Sequence, residues 1–127
     1  MLLAACTTSG GRTVVQNDYG GAIPKYQKKY EHLKKSSTKV TLCGNIGSAA
    51  TIFVSLPNVC ACPEAKFLFH GARIGFLHSP EYTEVMADYY PKQLRTWYMR
   101  EAGHLILTDH VTLTTQDLIT MNILEAC

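Results

Sequence analysis

The stretch CGNIGSAATIFVS, residues 43–55, sets one hydroxyl, Ser48, among small residues at the head of an apolar run. A serine that attacks a carbonyl needs a sharp turn to expose its oxygen, backbone N–H groups aimed at the developing oxyanion, and a histidine to take its proton. Gly44-Asn45-Ile46-Gly47-Ser48 puts Ser48 between a strand and a helix, where the first N–H groups are unpaired and the helix dipole is positive. The Ala49 N–H is then one oxyanion donor. Tyr19-Gly20-Gly21-Ala22, also between a strand and a helix, offers a second from Gly21, because glycine lets backbone approach a ligand closely. The bland alternative is a small residue where a strand packs tightly on a helix.

The elements that must position these groups follow from periodicity and turn chemistry. Residues 13–16 are a short β-branched run ending in the turn signal Asn17-Asp18-Tyr19-Gly20-Gly21. Pro24 suits a first helical turn, and residues 25–35 read as an amphipathic helix. Residues 39–43 are a second strand, 44–47 a turn, and 48–56 a helix opening near Ser48 and closed by Pro57-Asn58. Residues 59–62 and 66–69 are extended, 73–77 continue the apolar character, and 81–101 are helical with Pro91 as a restart or kink. Residues 105–107 are a strand candidate, and a last helix follows with Thr114 or Thr115 as N-cap. Strands alternating with helices imply an α/β fold with a mostly parallel sheet.

With 127 residues and 46% hydrophobic content, the chain is long enough for one core and too short for two. The net charge of +2 is weak. Lys25, Lys28, Lys29, Lys34 and Lys35 alternate with Tyr26, Tyr30 and Leu33 as on a solvated helix face, so no nucleic-acid partner is expected. No apolar run reaches the roughly 18–20 residues that span a bilayer.

The N-terminus reads MLLAACTTSGG, and Leu3-Ala4-Ala5-Cys6 matches the bacterial lipobox, with Cys6 as the lipidated residue and residues 1–12 as anchor and tether before a domain at 13–127. A signal peptide also needs a basic start and a longer apolar stretch, and one residue precedes Leu2, so either the sequence starts inside a longer signal or the match is chance. The other four cysteines, Cys43, Cys60, Cys62 and Cys127, form an even set fit for one or two disulfides in an oxidising compartment. Cys60 and Cys62 share one face of an extended segment and so do not pair; Cys127 tied back to Cys60 or Cys62 is the expected bond. Reduced, buried cysteines are the alternative. Their spacing does not make a zinc set, no histidine pair stands at ligand spacing with an acid, and no metal or cofactor is expected.

Taken in order, these pieces resemble the ClpP/crotonase fold, in particular the proteolytic subunit of the Clp protease and small periplasmic relatives. In that family a strand ends in an oxyanion turn, a helix follows, a second strand leads to Gly-x-x-x-Ser, and a Pro-x-x-x-x-x-x-His strand delivers the base. Here Tyr19-Gly20-Gly21, Gly44-Asn45-Ile46-Gly47-Ser48 and Pro63-Glu64-Ala65-Lys66-Phe67-Leu68-Phe69-His70 occur in that sequence. The resemblance implies Ser48 as nucleophile, His70 as general base, and Gly21 and Ala49 as oxyanion donors. Asn17-Asp18 replaces the family's Ser-Pro, and little chain precedes the first strand, so the fold is expected to be truncated. The third triad position falls on His110, and Asp109 fills it with a one-residue shift; Glu125 is a distant alternative.

His78 ends GARIGFLH, which mimics the same strand-to-histidine pattern, and is the rival base. His32, His104 and His110 read as surface or loop residues, and Asn45, Gly71 and Arg73 flank the cleft, where Arg73 suits a carboxylate. Tyr89, Tyr90, Trp97 and Tyr98 read as core or interface. The expectation is an exported serine hydrolase, peptidase-like, acting on a peptide or acyl substrate in the periplasm or as a membrane-anchored lipoprotein. Self-association is among the states the resemblance allows. The competing readings are a non-catalytic envelope lipoprotein on the same scaffold and, less favoured, acyl-CoA chemistry.

Overall fold

The structure, a computed structural model, describes residues 11–106 and 108–127. The lipobox and Cys6 lie outside the described residues.

Strand β1 (Arg12–Asp18) leads through the glycine turn into helix α1 (Ile23–Lys35). Pro24 occupies the first turn of α1, and His32, Lys34 and Lys35 sit in its last, where cations complement the dipole. Tyr26 and Tyr30 are buried while the lysines of α1 are exposed. Strand β2 (Lys39–Gly47) is the centre of the molecule, with Val40, Leu42 and Ile46 essentially inaccessible. It continues through the segment expected to turn. Gly44, at φ +72, sits against Asn17, at φ +53, and the Asn17 Oδ1 accepts the Asn45 N–H at 2.9 Å. The glycine therefore marks an irregularity in the β1–β2 register, not the end of the strand.

Ser48–Ser55 is a 3-10 helix, not an α-helix, and residues 49–54 are all buried. Strands β3 (Val59–Ala61) and β4 (Lys66–Phe69) follow, then a small separate hairpin of β5 (Arg73–Ile74) and β6 (Leu77–His78). Helix α2 (Pro80–Ala87) is capped by Ser79, whose Oγ accepts the Tyr82 N–H at 3.2 Å. Helix α3 (Lys92–Glu101) starts after Pro91, so the expected helix is two helices broken at the proline. Residues 105 and 106 are not a strand, and Leu107 lies outside the described residues. Strand β7 (Val111–Thr114) leads into α4 (Thr115–Thr120), where Thr114 and Asp117 form a reciprocal capping box. Strand β8 (Glu125–Ala126) ends the chain.

The main sheet runs β7-β4-β2-β3-β8, with β1 on β2. One edge of β2 carries β1; the other is shared, Val40 to Leu42 pairing with β3 and Asn45 to Gly47 with β4. The β1, β3, β4 and β8 ladders are parallel and the β4–β7 ladder is antiparallel, so the α/β sheet is mixed. Phe69 leaves β4 into an aromatic cluster, with ring centroids 5.7 Å from Tyr90, 5.3 Å from Trp97 and 6.3 Å from Tyr98.

Two disulfides staple the sheet, Cys60–Cys127 and Cys43–Cys62, with Cα separations of 4.9 and 5.0 Å. Cys127 thus bonds Cys60, and Cys62 takes a partner the sequence did not suggest. Its cause is register: Thr41 pairs with Cys60 across β2 and β3, so two residues on Cys43 faces Cys62. Two disulfides fit a protein of an oxidising compartment. Among the described residues no helix is long and apolar enough to cross a membrane.

Candidate functional site

β1 and β2 end side by side, Asp18 opposite Ile46, and deliver the two turns that build the site. Gly47 is extended and Ser48 follows at φ +54, a left-handed conformation uncommon outside glycine. Its carbonyl accepts the Thr51 hydroxyl at 2.7 Å, and Thr51 Oγ1 lies 2.7 Å from the buried Tyr90 hydroxyl. The strain at Ser48 is therefore held by a buried network.

Gly20, at φ +87, packs directly on this turn. A Cβ there would lie 2.7 Å from Ser48 Cβ and 2.8 Å from both Ala49 N and Gly47 O, so only glycine fits. Asp18 fixes the loop, one carboxylate oxygen accepting the Gly20 N–H at 2.9 Å and the Tyr26 hydroxyl at 2.6 Å. Burial, then the bond to Asp18 and its charge, push the Tyr26 phenol up to about 12. The next amide, that of Gly21, meets no acceptor among the described residues.

His70 follows the end of β4, tethered on three sides. Its carbonyl accepts the Tyr98 hydroxyl at 2.8 Å, the next amide, of Gly71, donates to Leu105 O at 2.6 Å, and its Nδ1 lies 2.7 Å from the Gly71 carbonyl oxygen. A carbonyl carries no proton, so this contact makes Nδ1 the donor and leaves Nε2 with the lone pair of a base. Burial drives the Tyr98 phenol well above its ordinary range, so it stays a neutral donor.

Ser48, His70, Gly20 and Gly21 line one cavity of about 560 Å³, completed by Arg73 and an apolar wall including Ile23, Ile74 and Met86. No direct hydrogen bond joins Ser48 to His70; without substrate, such bonds are often long. Ala49 is buried, with its amide against Gly20 at the head of the 3-10 helix, and does not line the cavity.

The remaining candidates lie elsewhere. His78 places Nε2 2.7 Å from Gly103 O and 3.3 Å from Thr83 Oγ1, tying β6 to the residues after α3 and away from the cavity wall. Asp109 is exposed in the loop before β7, and the partner on His70 Nδ1 is a backbone carbonyl, not its carboxylate. Glu125 is exposed on β8, in register with Cys60. Asn45 donates through Nδ2 to the Tyr19 hydroxyl at 3.0 Å, bracing the glycine turn. Among the described residues no three His, Cys, Asp or Glu side chains gather as a metal site.

Asp18, Tyr26, Thr51 and Tyr98, which hold the site in place, carried no sequence signal as such. Only Asp18 stood out, as the residue where the Ser-Pro pair was expected.

The fold and site thus define an α/β protein with a serine and a histidine on one cavity wall. No known family profile and no curated protein matches the chain. Among solved structures, a protein described only as an enzyme superposes with a TM-score of 0.55 at 10% identity, over 91% of this chain and 75% of that one. That likeness is one of fold alone.

Proposed function

We propose that the chain is an exported serine hydrolase of the ClpP/crotonase type, working through an acyl-enzyme. The observation that carries the reading is Ser48, held left-handed where β2 meets the 3-10 helix, on the cavity it shares with His70 and the glycine turn. In acylation Ser48 Oγ bonds to the substrate carbonyl carbon as its proton passes to His70 Nε2. The carbonyl oxygen gains the electron pair and is met by the Gly21 N–H, whose residue lines the cavity. Collapse breaks the bond to the leaving group, which takes the proton from His70; water then repeats the sequence and frees the acid. The disulfides and the lipobox at residues 3–6 support the bacterial envelope as its location, periplasmic or anchored through Cys6.

A non-catalytic envelope protein on the same scaffold is the second reading, favoured by the neutral partner on His70 where a triad has an acid. A fluorophosphonate probe separates the two. Labelling lost in Ser48→Ala and in His70→Ala is expected for the hydrolase, with losses on the order of 10⁴-fold or more. A folded wild-type protein that neither labels nor cleaves activated acyl esters sinks that reading.

A further inference from the structure

The cavity wall carries one unmatched charge. Arg73 lies at the start of the β5–β6 hairpin, exposed, with Nη1 2.5 Å from Gly75 O. That bond holds the guanidinium over the hairpin turn and leaves other N–H groups of its fork to a ligand. Arg95 pairs with Glu84 and Asp88, and Arg100 with Glu101, whereas Arg73 has no carboxylate partner among the described residues. Residues 1–10 and Leu107 contain no Asp or Glu to supply one. Neither does any Asp, Glu or Lys line the cavity, so apart from the histidine its side-chain charge is a single guanidinium. The remaining wall mixes the uncharged polar side chains of Tyr19 and Tyr82 with the apolar ones of Ile23, Ile74 and Met86.

These features make different demands on the two ends of a ligand. A wholly apolar acyl chain gains from Ile23, Ile74 and Met86 but leaves the guanidinium to water, and a chain ending in an ammonium is repelled. A chain ending in a carboxylate gains the apolar contact and charge-assisted hydrogen bonds from the fork, in the geometry guanidinium groups favour. We infer that the cavity takes an acyl group whose far end carries a carboxylate, with Arg73 binding that carboxylate while the carbonyl is presented to Ser48. The inference rests on the acyl-transfer reading of Ser48 and names its substrate class.

The test uses mono-4-nitrophenyl esters of adipic and suberic acids beside ω-carboxamides of the same length, read as the ratio of kcat/KM values within each protein. An exposed charge-assisted contact is worth about a tenfold preference for the carboxylate. That ratio should fall toward about 1 in Arg73→Gln, drop below it in Arg73→Glu, and shrink in the wild type as salt rises from roughly 0.05 to 0.5 M. Because each ratio is internal to one protein, a loss of folded fraction does not alter it. In parallel, Ser48→Ala, which lacks the nucleophile, is titrated by NMR with the monoanilides of the same acids and their ω-carboxamides, where the same preference and the same dependence on Arg73 are expected. Turnover without a preference, or a preference that survives Arg73→Gln, overturns the inference and leaves the hydrolase reading standing. No turnover with selective, Arg73-dependent binding overturns the hydrolase reading and leaves the carboxylate site. Equal binding of both ligands, or binding of neither, overturns the carboxylate site.

Discussion

Replacing Gly20 by alanine tests whether the two turns form one rigid unit. The new Cβ would meet Ser48 Cβ at 2.7 Å and the backbone atoms Ala49 N and Gly47 O at 2.8 Å each. Two of those three contacts are main chain, which cannot rotate away, and Gly47 is pinned in the β2–β4 ladder. An L-residue at φ +87 costs about 1–2 kcal/mol in backbone strain, and a forced methyl in a packed site roughly 1–3 kcal/mol more. The expected loss is therefore about 2–5 kcal/mol, read as a fall of roughly 1–3 M in the urea midpoint with the disulfides intact. Relief of the clash by backbone movement shifts the Ser48 turn, so fluorophosphonate labelling should fall by at least about 100-fold in the protein that remains folded. A Gly20→Ala protein with both the wild-type midpoint and the wild-type labelling rate refutes the claim that the glycine turn and the serine turn are in contact.

Tyr26→Phe removes a hydrogen bond to a carboxylate and is expected to cost about 1.5–3 kcal/mol at neutral pH. It should also flatten the alkaline end of the stability profile. The Tyr26 phenol is raised in the folded state, so its contribution is complete below about pH 10 and disappears as pH rises toward 12, a change of roughly 2–3 kcal/mol that denaturation at stepped pH reads directly; an unchanged alkaline slope in the variant counts against it. Opening Cys60–Cys127, which closes a separation of 67 residues, should cost about 4 kcal/mol, and opening Cys43–Cys62, which closes 19, about 3 kcal/mol. Serine variants compared by denaturation check that order, and non-reducing peptide mapping checks the pairs. Asp109→Asn should change the labelling rate less than about twofold, because His70 Nδ1 is bonded to Gly71 O; a loss above tenfold would restore the acid to the mechanism.

The features legible in the sequence are those set by short-range backbone chemistry. Gly20-Gly21 and Gly44 to Ser48 mark unusual backbone whatever surrounds them, and Pro63 and Pro91 bound elements, so strand ends and helix starts fell close to their observed places. Gly44 itself was misread, because a left-handed glycine marks a turn or a strand irregularity equally well, and only the facing Asn17 decides between them. The features that escaped depend on register or on distant partners. Cys43 and Cys62 meet because β2 and β3 align Thr41 with Cys60, a fact about pairing that spacing along the chain does not contain. Tyr98 reaches the His70 carbonyl from 28 residues away, and its aromatic character alone suggested only core or interface.

The partner on His70 bears on what the site can do. An acid behind a catalytic histidine has two effects: it selects the tautomer that leaves Nε2 free, and its charge stabilises the imidazolium formed as the proton arrives. The Gly71 carbonyl supplies the first and only a dipole toward the second. The rigidity that a triad draws from its acid comes here from the main chain instead: Tyr98 holds the His70 carbonyl, Leu105 holds the Gly71 amide, and a Cβ on Gly71 would run into the Gly103 carbonyl oxygen. His70 is thus oriented by backbone without a compensating negative charge. For the proposed hydrolase this arrangement sets the tautomer of the base without the charge that stabilises the imidazolium, and it anchors the main chain beside His70 to Gly103 and Leu105, the residues following α3.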